Sequence, residues 1–132
     1  MHNIERKSSG YLLTFGGLIS QQEMQEWVDE SRRALESQQG GFCVIVDMRT
    51  LAPLTADTQR VMVEGQKLYK QRGMTRSSVI VNNSVTAIQF KRLAQQSGIY
   101  QWERYFDGTQ PGCLDAAIGW GKSGVDPDAG EK

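Results

Sequence analysis

The side chains best suited to chemistry lie in one stretch, DMRTLAPLTADTQ, which begins at Asp47. Asp47 ends the apolar run GFCVIVD, and Arg49 and Thr50 follow shortly after it. We therefore expect Asp47 to close a buried strand, which is where α/β proteins place catalytic acids, magnesium ligands and switches. A catalytic carboxylate also needs a partner acid or base, and the nearest acid along the chain is Asp57.

The second half of this stretch has the pattern of a helix start. Thr55 is a suitable N-cap, and an acid such as Asp57 in the first turn is stabilised by the helix dipole. These features account for both residues without any catalysis. A structural role is therefore the favoured interpretation of each.

A second polar group follows the next apolar run, SSVIVNN. Asn82, Asn83 and Ser84 stand where this strand is expected to end and a helix to begin. Because ligand and partner sites collect at the carboxyl ends of parallel strands, these residues are candidate ligand contacts. An enzyme that uses Asp47 with Asn82 or Asn83 is the least favoured of three functional hypotheses.

Other kinds of chemistry have little support in the sequence. The single histidine, His2, lies near the N-terminus, and the two cysteines, Cys43 and Cys113, fit no zinc or redox spacing. In GWGKSG the place of the first P-loop glycine is held by Ala116, and the segment follows a predicted helix instead of joining a strand to a helix. We therefore expect no metal site, no cofactor and no catalytic residues.

The composition predicts a single globular domain. The chain has 132 residues and a formal net charge of +0, a balance that disfavours nucleic acid as a partner. Its apolar runs are too short to span a membrane, and MHNIERKSSG lacks the apolar core of a signal peptide. We expect a cytoplasmic domain over residues 1–123 with no integral membrane segment, followed by a disordered tail over residues 124–132.

The hydrophobic pattern alternates between strands and helices along the chain. YLLTFGG, GFCVIVD, SSVIVNN and WERYF have the composition of strands, with a further short strand around Ile4. Helices are predicted from the capping box of Ser20 and Glu23, from Thr55, from Ser84 and in CLDAAIGW. This order predicts an α/β fold with a mostly parallel sheet of about four or five strands and about four helices.

This order of elements, with its Asp-ended strand, Leu-containing loop and closing segments YFD and AAIGW, resembles the STAS domain family, the fold of the anti-sigma factor antagonists. It is most similar to the SpoIIAA-like branch of small bacterial proteins, and the resemblance runs from Tyr11 to about Trp120. Its motifs are loose hydrophobic patterns. The resemblance therefore says more about the fold than about the function.

In that family, the loop after the Asp-ended strand and the following helix bind a partner kinase, and a phosphorylated serine at the helix start switches the binding. Aligned without gaps from Asp47, this chain places Asp57 where the acceptor serine would stand. The resemblance thus implies a signalling module whose binding is either unswitched or switched through a threonine. The partner-binding or switch residues that it implies are Asp47, Arg49, Thr50, Leu54, Thr55, Asp57 and Thr58, with Thr55 and Thr58 as the alternative acceptors.

The favoured function is therefore non-enzymatic binding to a protein partner, a kinase or another regulator. The alternative is binding of a small apolar or lipid ligand, as the comparison of this branch with Sec14-type lipid carriers implies. Val85 and Ile88 lie off the apolar stripe of their predicted helix and suit that alternative. They equally suit a self-association surface that would make the protein a homodimer.

Overall fold

Strands and helices alternate along the chain, in the order that the hydrophobic pattern predicts. The computed structural model describes residues 1–129, and the α/β class with a mostly parallel sheet is confirmed. The elements are β1 (His2–Lys7), β2 (Gly10–Gly17), α1 (Gln21–Leu35), β3 (Phe42–Leu51), α2 (Ala56–Gln71), β4 (Met74–Val81), α3 (Ser84–Ser97), a short 3-10 turn (Tyr100–Trp102), β5 (Glu103–Asp107) and α4 (Cys113–Ser123).

The five strands form one sheet in the order β1-β2-β3-β4-β5. β1 is antiparallel to β2, and the other neighbours are parallel. Each parallel crossover leads to the next strand on the same side of the sheet. Right-handed connections therefore place α1, α2 and α3 on one face. In β4, Val79 packs into the core beneath these helices, while Ile80 packs against Trp120 of α4 on the opposite face. The sheet therefore has three helices on one face and a single helix on the other.

β3 is longer than its sequence suggests. The prediction that the strand ends at Asp47 is wrong, because pairing with β2 continues to Leu51. Asp47 pairs with Thr14, and a bulge then shifts the register so that Thr50 pairs with Gly16. The strand extends past its apolar run because the hydrogen bonds between strands join backbone N–H and C=O groups, which every residue here except proline provides.

α1 begins at the predicted cap, with a change in the role of its glutamate. The Ser20 hydroxyl accepts a hydrogen bond from the Glu23 amide at 3.0 Å. The Glu23 carboxylate does not close the capping box, because it bonds the His2 ring at 2.8 Å, and the other ring nitrogen bonds Glu30 at 2.8 Å. Burial lowers the pKa of His2, but these two partners together raise it above its ordinary value. His2 therefore ties β1 to α1.

The core between the sheet and α1–α3 is centred on Trp27. Its ring stacks on Tyr69 with centroids 5.6 Å apart and meets the edge of Phe15 at 5.1 Å. A Cβ atom at Gly65 would overlap the Trp27 ring, so a glycine there lets α2 approach α1 closely. Ser31 and Tyr69 share a buried hydrogen bond of 2.7 Å. These contacts fix the spacing of the first two helices on the sheet.

The segment after α4 folds back toward β5. The Asp126 carboxylate accepts two hydrogen bonds from Arg104, at 3.0 and 3.1 Å. The tail that was predicted to be disordered covers residues 124–132, of which residues 130–132 lie outside the described part of the chain. Within the described part, none of the helices is long and apolar enough to cross a membrane.

Glu103 is a carboxyl group buried at the edge of this core. It is 4% exposed and lines a cavity of about 30 Å³ together with Gln66 and Ser77. The Tyr105 hydroxyl donates a hydrogen bond to its Oε1 atom at 2.5 Å. Burial raises the pKa of Glu103 to about 7, and the hydrogen bonds from Tyr105 and Ser77 offset this only in part.

This buried acid makes stability depend on pH. The unfolded carboxyl group loses its proton near 4.5 and the folded one near 7, so the free energy of unfolding falls as pH rises between these values. Glu103→Gln keeps an acceptor for Tyr105 and should raise the free energy of unfolding above pH 7, by up to about 3 kcal/mol. Urea unfolding from about pH 4 to about pH 9 measures the difference. The exposed Glu64→Gln is the control, and parallel curves for wild type and Glu103→Gln would contradict the shift.

Candidate functional site

The start of α2 is built around a pair of threonines. Thr55 is the N-cap, and its Oγ1 accepts a hydrogen bond from the Thr58 amide at 3.4 Å and lies 2.9 Å from the Thr58 hydroxyl oxygen. Asp57 stands in the first turn, exposed, and forms an ion pair with Arg60 one turn later. The predicted N-cap and the predicted position of an acid in the first turn are both confirmed. The turn therefore presents one acidic side chain and one accessible hydroxyl.

The loop that precedes α2 is fastened to α3. The Leu54 amide donates to the Gln89 Oε1 atom at 2.9 Å, and the Gln89 side-chain amide donates to the Leu54 carbonyl at 3.1 Å. The same carbonyl accepts a second hydrogen bond, from Gln59, at 2.9 Å. Arg92 of α3 in turn donates to the Gln59 Oε1 atom at 2.9 Å. These four hydrogen bonds join the loop, α2 and α3 into one unit.

α3 starts beside this unit and presents apolar side chains to solvent. The Asn83 Oδ1 atom caps the helix by accepting a hydrogen bond from the Val85 amide at 2.8 Å. Val85, Ile88, Gln89 and Arg92 recur at the spacing i, i+3, i+4 and i+7, so they form one stripe along the helix. Val85 is 54% and Ile88 is 65% exposed.

Gln89 and Arg92, the polar half of this stripe, contact the loop and α2. Val85 and Ile88, the apolar half, lie beside them on the same helix. The hydrogen bonds of Gln89 thus join the two helix starts, and we treat their exposed side chains as one surface. We name it the α2–α3 surface and define it by Thr55, Asp57, Val85 and Ile88. It combines two apolar groups, one acid and one hydroxyl at the carboxyl edge of the parallel strands.

Asp47 and Arg49 lie on the opposite face of the sheet. Val46 and Met48 pack toward α1–α3, so the alternating side chain of Asp47 points to the α4 face. Arg49 binds the Asp47 carboxylate through Nε at 3.0 Å and through Nη2 at 2.8 Å. These hydrogen bonds hold the pKa of Asp47 below its usual range. Asp47 is therefore a paired anion and a weak base.

Arg49 also meets the end of β4. A Cβ atom at Gly108 would overlap both the Asn82 side chain and the Arg49 side chain, so these three residues lie together where β3, β4 and β5 end. Asn82 is exposed at this corner. Ser84, the first residue of α3, is also exposed.

The predicted switch residues thus separate into groups. Asp47 and Arg49 belong to the α4 face, and Thr50 is an exposed residue within β3. Leu54 is 4% and Thr58 is 0% exposed, so both side chains are buried beneath the surface that a partner would contact. Of the seven residues, Thr55 and Asp57 stand at the start of α2 with exposed side chains.

Sequence reasoning missed Gln59 and Gln89, which join the loop to the two helices. A partly exposed glutamine on a helix is ordinary, and Gln89 lies 35 residues from its Leu54 partner. The chain held no local signal for that contact. Val85 and Ile88 did give a signal in the sequence, because apolar residues off the buried stripe of a helix depart from the usual amphipathic pattern.

Within residues 1–129, no three His, Cys, Asp or Glu side chains gather in a group that could hold a metal ion. No protein-family model, no curated protein and no solved structure matches the chain.

The cap at Thr55 can be tested by its effect on stability. Thr55→Ala removes the hydroxyl that serves the first turn of α2 and should lower the free energy of unfolding by about 1 kcal/mol, whereas Thr55→Asp keeps an acceptor and should cost less than about half of that. Thermal and urea unfolding measure both effects. Ser123→Ala removes an exposed hydroxyl at the other end of a helix and serves as control. Equal stability of Thr55→Ala and wild type would show that the hydroxyl does not cap.

Proposed function

We propose that this protein is a non-enzymatic regulatory module that binds a protein partner, a kinase or another regulator, through the α2–α3 surface. One support is the resemblance to the SpoIIAA-like branch of the STAS family, in which the loop after the Asp-ended strand and the following helix bind the partner. We also propose that the protein is cytoplasmic. The resemblance contributes the class of function, and the geometry contributes the surface.

The observation that supports the proposal is the exposure of Val85 and Ile88 beside a loop that is held rigidly. Single exposed apolar side chains are common on protein surfaces. Here two of them stand on one helical stripe with Gln89, which fixes the loop that leads into α2. Apolar groups with polar neighbours on a preorganised surface are typical of protein interfaces, since little ordering is left to do on binding.

Catalysis has weaker support at the place where the sequence suggested it. Asp47 is already neutralised by Arg49, and the low pKa of its carboxyl group makes it a poor proton acceptor. A general base should instead have a pKa near the working pH. Asp47 and Arg49 therefore suit a structural ion pair.

Val85 and Ile88 suit a macromolecule better than a small apolar ligand. At 54% and 65% exposure they stand out from the helix, whereas a small-molecule site buries most of its ligand in a concave space. A second copy of the chain would also cover Val85 and Ile88. Native mass spectrometry at low micromolar concentration separates a homodimer from a complex with another protein.

The proposal predicts that partner binding is lost when the surface changes charge. Asp57→Arg and Ile88→Glu should each abolish recovery of a specific partner in affinity purification from the protein's own cells. Asp57→Arg reverses a charge that the partner would complement, and Ile88→Glu places a charge where the interface would exclude water. Asp115→Arg reverses an acid in the first turn of α4, and Val125→Glu charges another exposed apolar residue; both should leave recovery unchanged.

Circular dichroism spectra of all four variants should match the wild type, so that a loss of binding reflects the surface. Equal loss in the two control variants, or repeated recovery of no specific partner by the wild type, would overturn the proposal.

Phosphorylation, if it regulates this surface, should occur at Thr55. Thr58 has 0% exposure and its hydroxyl contacts Thr55, so a kinase could not reach it in the folded protein. A phosphate on Thr55 would be favoured by the α2 dipole and opposed by Asp57. Phosphopeptide mapping of the native protein should find phosphate at Thr55 or at neither threonine. Stoichiometric phosphate at Thr58 would contradict this assignment.

A further inference from the structure

The face of the sheet that carries α4 is only partly covered. α4 packs over β3, β4 and β5 through Ala117 and Trp120, and β2 is left largely open on that face. An open groove of about 340 Å³ lies between α4 and the β1–β2 hairpin. Its volume is within the range of roughly 300–1,000 Å³ that small-molecule sites occupy.

α4 presents a second row of side chains to this groove, two of them apolar and the last a lysine. Leu114, Ile118 and Lys122 recur at every fourth residue and all line it. Leu114 is 44% exposed. On the sheet side, Leu12 and Ile45 line the same groove and are only half-buried.

Ile45 belongs to GFCVIVD, a sequence typical of a strand covered on both faces. The groove thus lies over β3. The sequence of β3 is typical of a strand covered on both faces, but α4 covers this face only in part.

One end of the groove is polar and positively charged. At the amino ends of β2 and β3 it meets a shallow polar recess of about 250 Å³, and the two spaces share Ser9, Cys43 and Lys122. The recess adds Thr75 and Arg76. Among the described residues, no carboxylate oxygen lies within 4.0 Å of a side-chain nitrogen of Lys122 or Arg76.

A third cation on the rim contributes less charge. Lys7 lines the groove but is already paired with Glu5 at 2.9 Å. Arg76 is held in place by donating to the carbonyls of Gly121 at 3.2 Å and Lys122 at 3.3 Å. Among the described residues, the positive charges without a carboxylate partner at this end are therefore those of Lys122 and Arg76.

We propose that this groove binds a single-chain alkyl carboxylate, a molecule of the fatty-acid class. Its alkyl chain would lie over Leu12, Ile45 and Ile118, and its carboxylate would lie in the recess near Lys122 and Arg76. A largely apolar groove with two cations at one end complements a molecule that is apolar along its length and anionic at one end. The site is on the opposite face of the sheet from the α2–α3 surface and does not depend on the function proposed for that surface.

Calorimetric titration with dodecanoate, below its micellar concentration, tests the site on the full chain. We expect one molecule to bind per chain. Dodecan-1-ol has the chain without the charge, and butanoate has the charge with little chain, so each should bind at least about tenfold more weakly. Amide chemical shifts in the presence of dodecanoate should move at Leu12, Ile45 and Ile118.

Two variants with matched controls locate the two ends of the ligand. Lys122→Glu and Leu114→Gln should each weaken dodecanoate binding about tenfold or more. Lys67→Glu makes the same charge change on exposed α2, and Leu18→Gln makes the same polarity change at a residue that is 85% exposed. Both controls should bind as the wild type does.

Three results would overturn the proposal. The first is no binding of dodecanoate up to its solubility limit. The second is binding of dodecan-1-ol as tight as that of dodecanoate together with full binding by Lys122→Glu. The third is a dimer in sedimentation that Leu114→Gln dissociates and dodecanoate does not, which would assign the groove to a second copy of the chain.

Discussion

Two hydrogen bonds between the Gln89 side chain and the backbone of Leu54, one in each direction, hold the β3–α2 loop against α3. Leu54 is 4% exposed, and a buried amide or carbonyl without a partner would cost free energy comparable to a lost hydrogen bond. Because Gln89 satisfies both groups, the loop has one favoured position. The starts of α2 and α3 therefore form a continuous surface instead of two independent turns, and the proposed partner site depends on that continuity.

The strand order sets what else the fold can do. Strands β2 to β5 follow one another in a single direction, so the sheet has no reversal of order of the kind that opens a ligand crevice in doubly wound folds. α1, α2 and α3 cover one face, and α4 alone covers part of the other. The two proposed sites follow from this asymmetry: the covered face offers helix starts to a macromolecule, and the open face offers a groove to a small amphiphile.

Much of this architecture could be predicted from periodicity, capping and turn residues, because each of these is a local property of the chain. The end of β3 could not, since its pairing with β2 continues past the apolar run through backbone groups that no side chain reports. For the same reason Asp47 was expected at the end of the strand and grouped with Thr55 among the partner-binding residues, although alternation along the strand turns it to the α4 face. The contact of Gln89 with Leu54 joins distant residues and leaves no pattern in the sequence.

Photo-crosslinking in the protein's own cells shows directly whether the α2–α3 surface binds one protein partner. A photoreactive residue at position 57 and, separately, one at position 88 would report on the two halves of the α2–α3 surface. We expect both positions to capture the same partner protein and position 125, exposed after α4, to capture none of it. Capture of that partner only from position 125, or of unrelated proteins from positions 57 and 88, would contradict a single interaction surface.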